Sequence, residues 1–171
     1  MTNRPDSSNP HRYDARLVWN SKLGDDMSTY AGYSRAFTVH IDGRPALHGS
    51  ADAMFRGDPS RHNPEDLLLA AISACHMLSY LALCARRGLR VVAYEDTACA
   101  TLVLDAEGGG QFHDATLAPV VTLAQGADAD AARQLHDVAH ERCFIANSCN
   151  FPIHVRATVR AGGGAGTRRD P

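Results

Sequence analysis

The nineteen residues from Leu67 to Ala85, LLLAAISACHMLSYLALCA, hold no charged side chain and would be apolar on nearly every side of a helix. A run of this length is close to what crosses a bilayer, so either lipid or protein must cover it. It carries Ser73, His76, Ser79 and Tyr80, and nothing else in the chain resembles a second span. A helix apolar on all sides also serves as the centre of a globular core, and that reading, with no membrane partner, is the expectation here. The ends of the helix are signalled locally. Asn63 can cap the free N–H groups, Pro64 fits the first helical position, and Glu65 and Asp66 face the positive end of the dipole. Gly88, after Arg86 and Arg87, supplies the stop.

The flanking sequence alternates strands with one further helix. Ala15 to Asn20 reads as a strand. Phe37, Val39 and Ile41 alternate with Thr38, His40 and Asp42, a half-buried strand ending at Asp42-Gly43, and Pro45 to His48 can pair back on it. Beyond the long helix, one strand is predicted over Leu89–Leu104, with Ala98, Ala100, Leu102 and Leu104 on one face. A turn at Glu107–Gly110 leads to a returning strand over Gln111–Leu123. Asp128 to Phe144 forms the second helix, where Leu135, Ala139 and Cys143 share a stripe at i, i+4 spacing. A last strand covers Ile153–Val159. Strands, helix, hairpin, helix and strand in that order give an α+β fold rather than a doubly wound sheet. The length of 171 residues fits one domain, placed at 14–161 between solvated tails at 1–13 and 162–171. A formal net charge of −2 makes no case for nucleic acid or an anionic membrane.

Five cysteines cannot all pair within one chain, and Met1 to Tyr13 has no apolar segment of the signal-peptide kind. Both observations point to a reducing cytoplasm, where a cysteine is a core residue, a ligand or a catalytic group. Cys75 falls in the middle of the long helix and Cys143 at the end of the second. Taken singly, each reads as a small core residue. A metal set of Cys75, His76, His140 and Cys143 can be written, but adjacent residues on a helix point apart, so no metal is expected. Cys84 lies about 180° round the helix from Cys75 at 3.6 residues per turn, and Cys99 faces away from the Ala98–Leu104 stripe. Both read as structural. Cys149, after Asn147-Ser148 in a loop, is the one other candidate for reactivity.

The local sequences around the two cysteines carry more. Asn63-Pro64-Glu65 is followed by an apolar, alanine-rich run and then Cys75, ten residues after the acid. Downstream, Ala139-His140-Glu141-Arg142-Cys143 precedes Ile145-Ala146-Asn147-Ser148. In order and separation these two blocks closely resemble the signature of the OsmC/Ohr family, over roughly Trp19 to Val159. His76 stands where an aromatic is common in that family, and Phe144-Ile145 where a proline often follows, which bears on pocket shape more than on reaction type.

The resemblance implies a cysteine-dependent peroxidase that reduces organic hydroperoxides, and hydrogen peroxide more weakly. Cys75 would attack as the thiolate and become a sulfenic acid, and Cys143 would resolve it as a disulfide. Glu65 matches the family acid that orients a supporting arginine. Arg35 is the best positional match to that arginine, with Arg44, Arg56 and Arg61 as alternatives. No cofactor is implied, but an external dithiol, lipoyl or thioredoxin-like, must restore both thiols. The implied fold has curved antiparallel sheets around two central helices in an intertwined homodimer. Two other readings are open: a redox-inert module binding a small hydrophobic ligand, and a thiol hydrolase using Cys75 with His76 or His140 as base.

Overall fold

The computed structural model describes residues 10–162. Of the two predicted tails, only residues 10–13 and 162 fall within that range. The chain divides into two compact units, the first ending at Asp66 and the second beginning at Leu67.

In the first unit, β1 (Arg16–Trp19), β2 (Phe37–His40) and β3 (Leu47–Gly49) form an antiparallel sheet in the order β1-β2-β3. Val18 sits opposite Thr38, and Val39 opposite Leu47. Gly49 is required where it stands: a Cβ there would lie 2.2 Å from the Cζ of Phe37, its partner across the ladder. The predicted cap is in place. The Asn63 Oδ1 accepts the Asp66 N–H at 2.7 Å, and its amide donates to Asp52 at 3.2 Å. Asp52 in turn caps a 3-10 turn at Ala53–Phe55, so one buried asparagine ties the helix start to the loop before it.

The long helix α1 (Pro64–Arg86) crosses into the second unit and ends as predicted. Gly88 takes a φ of +68°, and the Leu89 N–H reaches back to the Cys84 carbonyl at 2.9 Å, a Schellman closure. The strands that follow are cut where the sequence suggested continuity. The expected strand 89–104 is β4 (Val91–Asp96) and β5 (Cys99–Leu104), and the expected 111–123 is β6 (Gly110–Leu117) and β7 (Pro119–Leu123). The last strand is likewise two, β8 (Ile153–Val155) and β9 (Thr158–Ala161), after helix α2 (Ala129–Glu141) and a 3-10 turn at Ala146–Ser148.

All three segments break at one level and contribute to two sheets, β4-β7-β9 and β5-β6-β8. The cause is local. Pro119 has no N–H to give Asp96, its partner across the ladder. The Asp96 carboxylate instead accepts the Ala118 N–H at 2.7 Å and the Ser73 hydroxyl of α1 at 2.5 Å. A side chain thus replaces the ladder bond at the bend. The α+β class and the two helices stand as expected, but the sheets are not wholly antiparallel: β8 runs parallel to β6, and β9 parallel to β7.

The second unit's core joins Tyr80 and Cys84 of α1, Val121 and Leu123 of β7, and Ala132, Leu135 and Ala139 of α2. The expectation of a helix buried on all sides is corrected here. Only Ile72, His76, Tyr80 and Cys84 of α1 are buried, one stripe at four-residue spacing, while Leu78 is 62% exposed. One small sheet and one short helix can cover a single face of a 23-residue helix and no more. By length and composition α1 also meets the requirement for crossing a membrane.

Candidate active site

A step of one residue along a helix is a turn of 100°. That step separates Cys75 from His76 and sets their different fates. His76 points into the buried stripe; Cys75, beside it, is half-buried. On the helix surface the neighbours of Cys75 at three and four residues are Ala71, Ile72, Leu78 and Ser79. Among the apolar residues of α1 around it, Ile72 is in the core, while Leu67, Leu68, Ala71 and Met77 are half-buried. Leu78, unremarked in the sequence, is the exposed apolar group one turn from the thiol.

The second helix ends sooner than predicted, at Glu141, and Cys143 lies on the turn that leaves it. The Cys143 N–H donates to the His140 carbonyl at 3.2 Å, and its own carbonyl accepts the Asn147 N–H at 3.0 Å. The side chain is fully buried. The fold brings it beside the Cys75 thiol, 68 positions earlier in the chain, and both are free thiols. Burial pushes the Cys143 thiol up to about 11, with the Cys75 thiol beside it adding to the rise and the Ala146 and Ile145 N–H groups opposing it. One thiol of the pair is therefore reachable, and its partner is a sealed, protonated S–H.

The other cysteines are set apart from this pair. Cys84 is in the core, where burial raises its pKa. Cys99 is exposed on β5. Cys149, the loop candidate, is half-buried and donates its S–H to the Ile145 carbonyl at 3.3 Å, and its pKa is likewise raised by burial. Its S–H is thus engaged within its own turn.

The structure also contains a group that sequence reasoning missed. His76 Nε2 lies 3.0 Å from His136 Nδ1 of α2, and the two rings are nearly parallel. His136 stacks in turn on Tyr80, with centroids 3.9 Å apart. Both histidines are almost fully buried, and burial lowers both pKa values, that of His136 to about 4. His76 is thus turned to His136 and is not a base for Cys75, which removes one of the two bases open to a thiol hydrolase. The signal for His136 was present: it lies four residues before His140 and seven before Cys143, on the stripe already recognised. Among the described residues, no group of three or more His, Cys, Asp or Glu side chains is placed to hold a metal ion.

Glu65 and the arginines belong to the first unit. Glu65 is half-buried in the first turn of α1. Arg35 is half-buried, with its guanidinium 3.7 Å from the Tyr33 ring centroid and 4.6 Å from that of Tyr30. It donates to the carbonyls of both tyrosines. Two rings and two carbonyls fix the guanidinium plane, a pre-organised cation of the kind that suits anion recognition. Arg44 and Arg56 are exposed, and Arg61 is spent on an exposed pair with Asp58 at 3.2 Å.

Residues 57–158 match the family model described as OsmC-like protein. No curated protein matches the chain in sequence. Among solved structures, an OsmC-like protein of unknown function from Vibrio cholerae is 27% identical over 87% of this chain and 100% of its own, with a TM-score of 0.80. An organic hydroperoxide resistance protein from Elizabethkingia anophelis is 19% identical, covering 91% and 99%, with a TM-score of 0.66. A further organic hydroperoxide resistance protein, from Legionella pneumophila, is 19% identical over 87% and 96%, with a TM-score of 0.62. These last two are similar in fold.

Proposed function

Since this chain belongs to the OsmC-like protein family, we propose that it is a thiol-dependent peroxidase whose substrates are organic hydroperoxides and, more weakly, hydrogen peroxide. The observation that carries the reading is the pairing of the half-buried Cys75 with the sealed Cys143. The Cys75 thiolate attacks one oxygen of the hydroperoxide and the O–O bond breaks. The alkoxide leaves with a proton as the alcohol, and Cys75 is left as a sulfenic acid. Cys143 then attacks that sulfur, an S–S bond forms, and the hydroxyl leaves as water with the Cys143 proton. A dithiol, lipoyl or thioredoxin-like, reduces the disulfide by two successive exchanges.

The asymmetry of the two thiols supports this order. An attacking sulfur must be reached by substrate, whereas a resolving sulfur need meet only its partner. Arg35 is proposed as the cation that steadies the thiolate and the departing alkoxide, and Glu65 as the acid that orients it. Both roles come from the family resemblance, and the ordered setting of Arg35 makes it preferable to Arg44, Arg56 and Arg61. We further place the protein in the cytoplasm as a homodimer, with a second copy covering part of the exposed apolar surface of α1 and Leu78 left at the rim beside Cys75. The deciding experiment is consumption of cumene hydroperoxide and of hydrogen peroxide with dithiothreitol as electron donor. No consumption of either at micromolar enzyme would overturn the peroxidase reading.

A further inference from the structure

The His76–His136 contact lies one residue from one thiol and seven residues, about two turns, from the other. Elsewhere α1 and α2 meet through apolar groups such as Ala132, Leu135 and Ala139, whose packing carries little directional information. Against that background a single hydrogen bond between two sealed rings has an outsized effect. It can form at one axial register of the helices only, and low polarity strengthens it. Tyr80 holds the His136 ring flat from one side, and the ring of Tyr94 lies 6.0 Å from that of Tyr80. His140 of α2 and Asp96 of β4 are the other titratable groups that His76 feels, and they act on it in opposite directions. Two histidines thus occupy a core that apolar residues could fill.

From this we infer that His76 and His136 are positioning residues: their hydrogen bond fixes the register of α1 against α2 and so holds Cys143 where it can close on Cys75. The inference rests on reading Cys75 and Cys143 as a reacting pair. Disulfide closure needs the incoming sulfur in line with the bond that breaks, and a displacement of about 1 Å can cost a hundredfold in rate. Attack of Cys75 on a small substrate makes no such demand on α2. Loss of the pair should therefore slow closure and spare the first reaction of Cys75.

The test needs no peroxide. In a Cys99→Ser, Cys149→Ser background, with Cys84 buried, 5,5′-dithiobis(2-nitrobenzoate) first converts Cys75 to its mixed disulfide, releasing one thionitrobenzoate. Cys143 then displaces the second: the Cys75–Cys143 bond forms, the bond to the aryl sulfur breaks, and the Cys143 proton passes to solvent. The two releases are read as two phases of absorbance. His76→Phe and His136→Phe keep a ring but lose the bond, and each should slow the second phase at least tenfold with the first within twofold. His76→Gln places an amide near the Nε2 position and His136→Asn near Nδ1, so each should close within about threefold of wild type. The misplaced amides, His76→Asn and His136→Gln, should close as slowly as the phenylalanine variants, a contrast that survives if those variants fail to fold. Equal second phases for placed and misplaced amides would overturn the inference. A wild type that closes its disulfide here but consumes no hydroperoxide overturns the peroxidase reading and leaves this one standing.

Discussion

Two pairs of side chains, each joining α1 to α2 or to the turn that leaves it, have opposite characters. Cys75 and Cys143 form a pair with one half-buried member and one sealed member, both of them free thiols. His76 and His136 are sealed together, held by a hydrogen bond and stacked on Tyr80. On α1 the two pairs differ by a single residue. The comparison teaches that reactivity is assigned by rotation about the helix axis as much as by residue type. A 100° step takes a group from partial solvent contact to none, and the histidine that looked like a base in sequence is committed to the core.

The strongest way to break this contrast is to change the thiols themselves. Cys75→Ser should abolish both peroxide turnover and the first single reaction, because a hydroxyl without a base is a poor nucleophile towards peroxide oxygen. Cys143→Ser should react once, gain one oxygen on Cys75 by intact mass, and be trapped by a dimedone-type reagent. Excess peroxide should then carry it to the sulfinic acid, which thiols do not reverse. The wild type should lose two hydrogens as a Cys75–Cys143 disulfide. Oxygen found on Cys143 in a Cys75→Ser protein that still turns over would reverse the roles.

A smaller effect should separate the pairs by charge. Arg35→Ala should lower the second-order rate with cumene hydroperoxide roughly a hundredfold, the scale on which one pre-organised donor to a developing anion acts. It should leave the acid unfolding transition where it was, since the histidines owe their state to burial. Stopped-flow rates at fixed pH decide the first part. If Arg61→Ala loses the rate and Arg35→Ala does not, the supporting cation is the other arginine.

The sequence was most legible where structure is decided over a few residues. Asn63, Pro64 and Gly88 mark the ends of α1 because capping and left-handed backbone are local requirements. The twin blocks around Cys75 and Cys143 were legible as a family pattern, and the fold brings those thiols together. What escaped depends on contacts between distant segments. The cut between β4 and β5 follows from Asp96 serving Ala118 and Ser73 at once, and neither partner is near it in sequence. The His76–His136 bond, across 60 positions, left only its α2 periodicity to be read. The half-covered state of α1 was misjudged for a related reason: an apolar circumference says that cover is needed, not which chain supplies it.

Acid should sharpen the contrast on the histidine side. An unfolded histidine titrates near 6.5, whereas burial holds His136 at about 4 and lowers His76 as well. Between those values the unfolded chain binds protons that the folded one does not, so acidification favours unfolding. Stability is complete above pH 6.5 and falls as the pH drops towards 4, by about 2–3 kcal/mol for His136 alone. The carboxylates with lowered pKa, Asp26, Asp58 and Asp114, lose their contribution below this window as the pH falls under their ordinary value of 3.8. Denaturant melts at half-unit steps from pH 7 to pH 4 measure the slope. His136→Phe should flatten most of it, and a wild-type profile flat across that range would mean that the pair takes up protons in the fold.

The smallest expected effect concerns what approaches the reachable thiol. Leu78, 62% exposed, stands one turn from Cys75, and Leu68 and Ala71 are half-buried on the same side of α1. The histidine side of the helix offers no comparable surface, being filled by Ile72 and Tyr80. An alkyl hydroperoxide can therefore lay its carbon chain on apolar surface while its oxygens meet the sulfur, and hydrogen peroxide has no carbon to bury. At about 0.8 kcal/mol per CH₂, partial burial of two to three carbons corresponds to roughly tenfold or slightly more in second-order rate. Cumene hydroperoxide should exceed hydrogen peroxide by that factor, and Leu78→Ser should narrow the ratio about threefold without touching the rate with hydrogen peroxide. Equal rates for the two peroxides in the wild type would remove the organic preference and leave the peroxidase assignment to the cysteine experiments. A ratio that survives Leu78→Ser would place the alkyl group elsewhere on the surface, with Leu68 as the next residue to change.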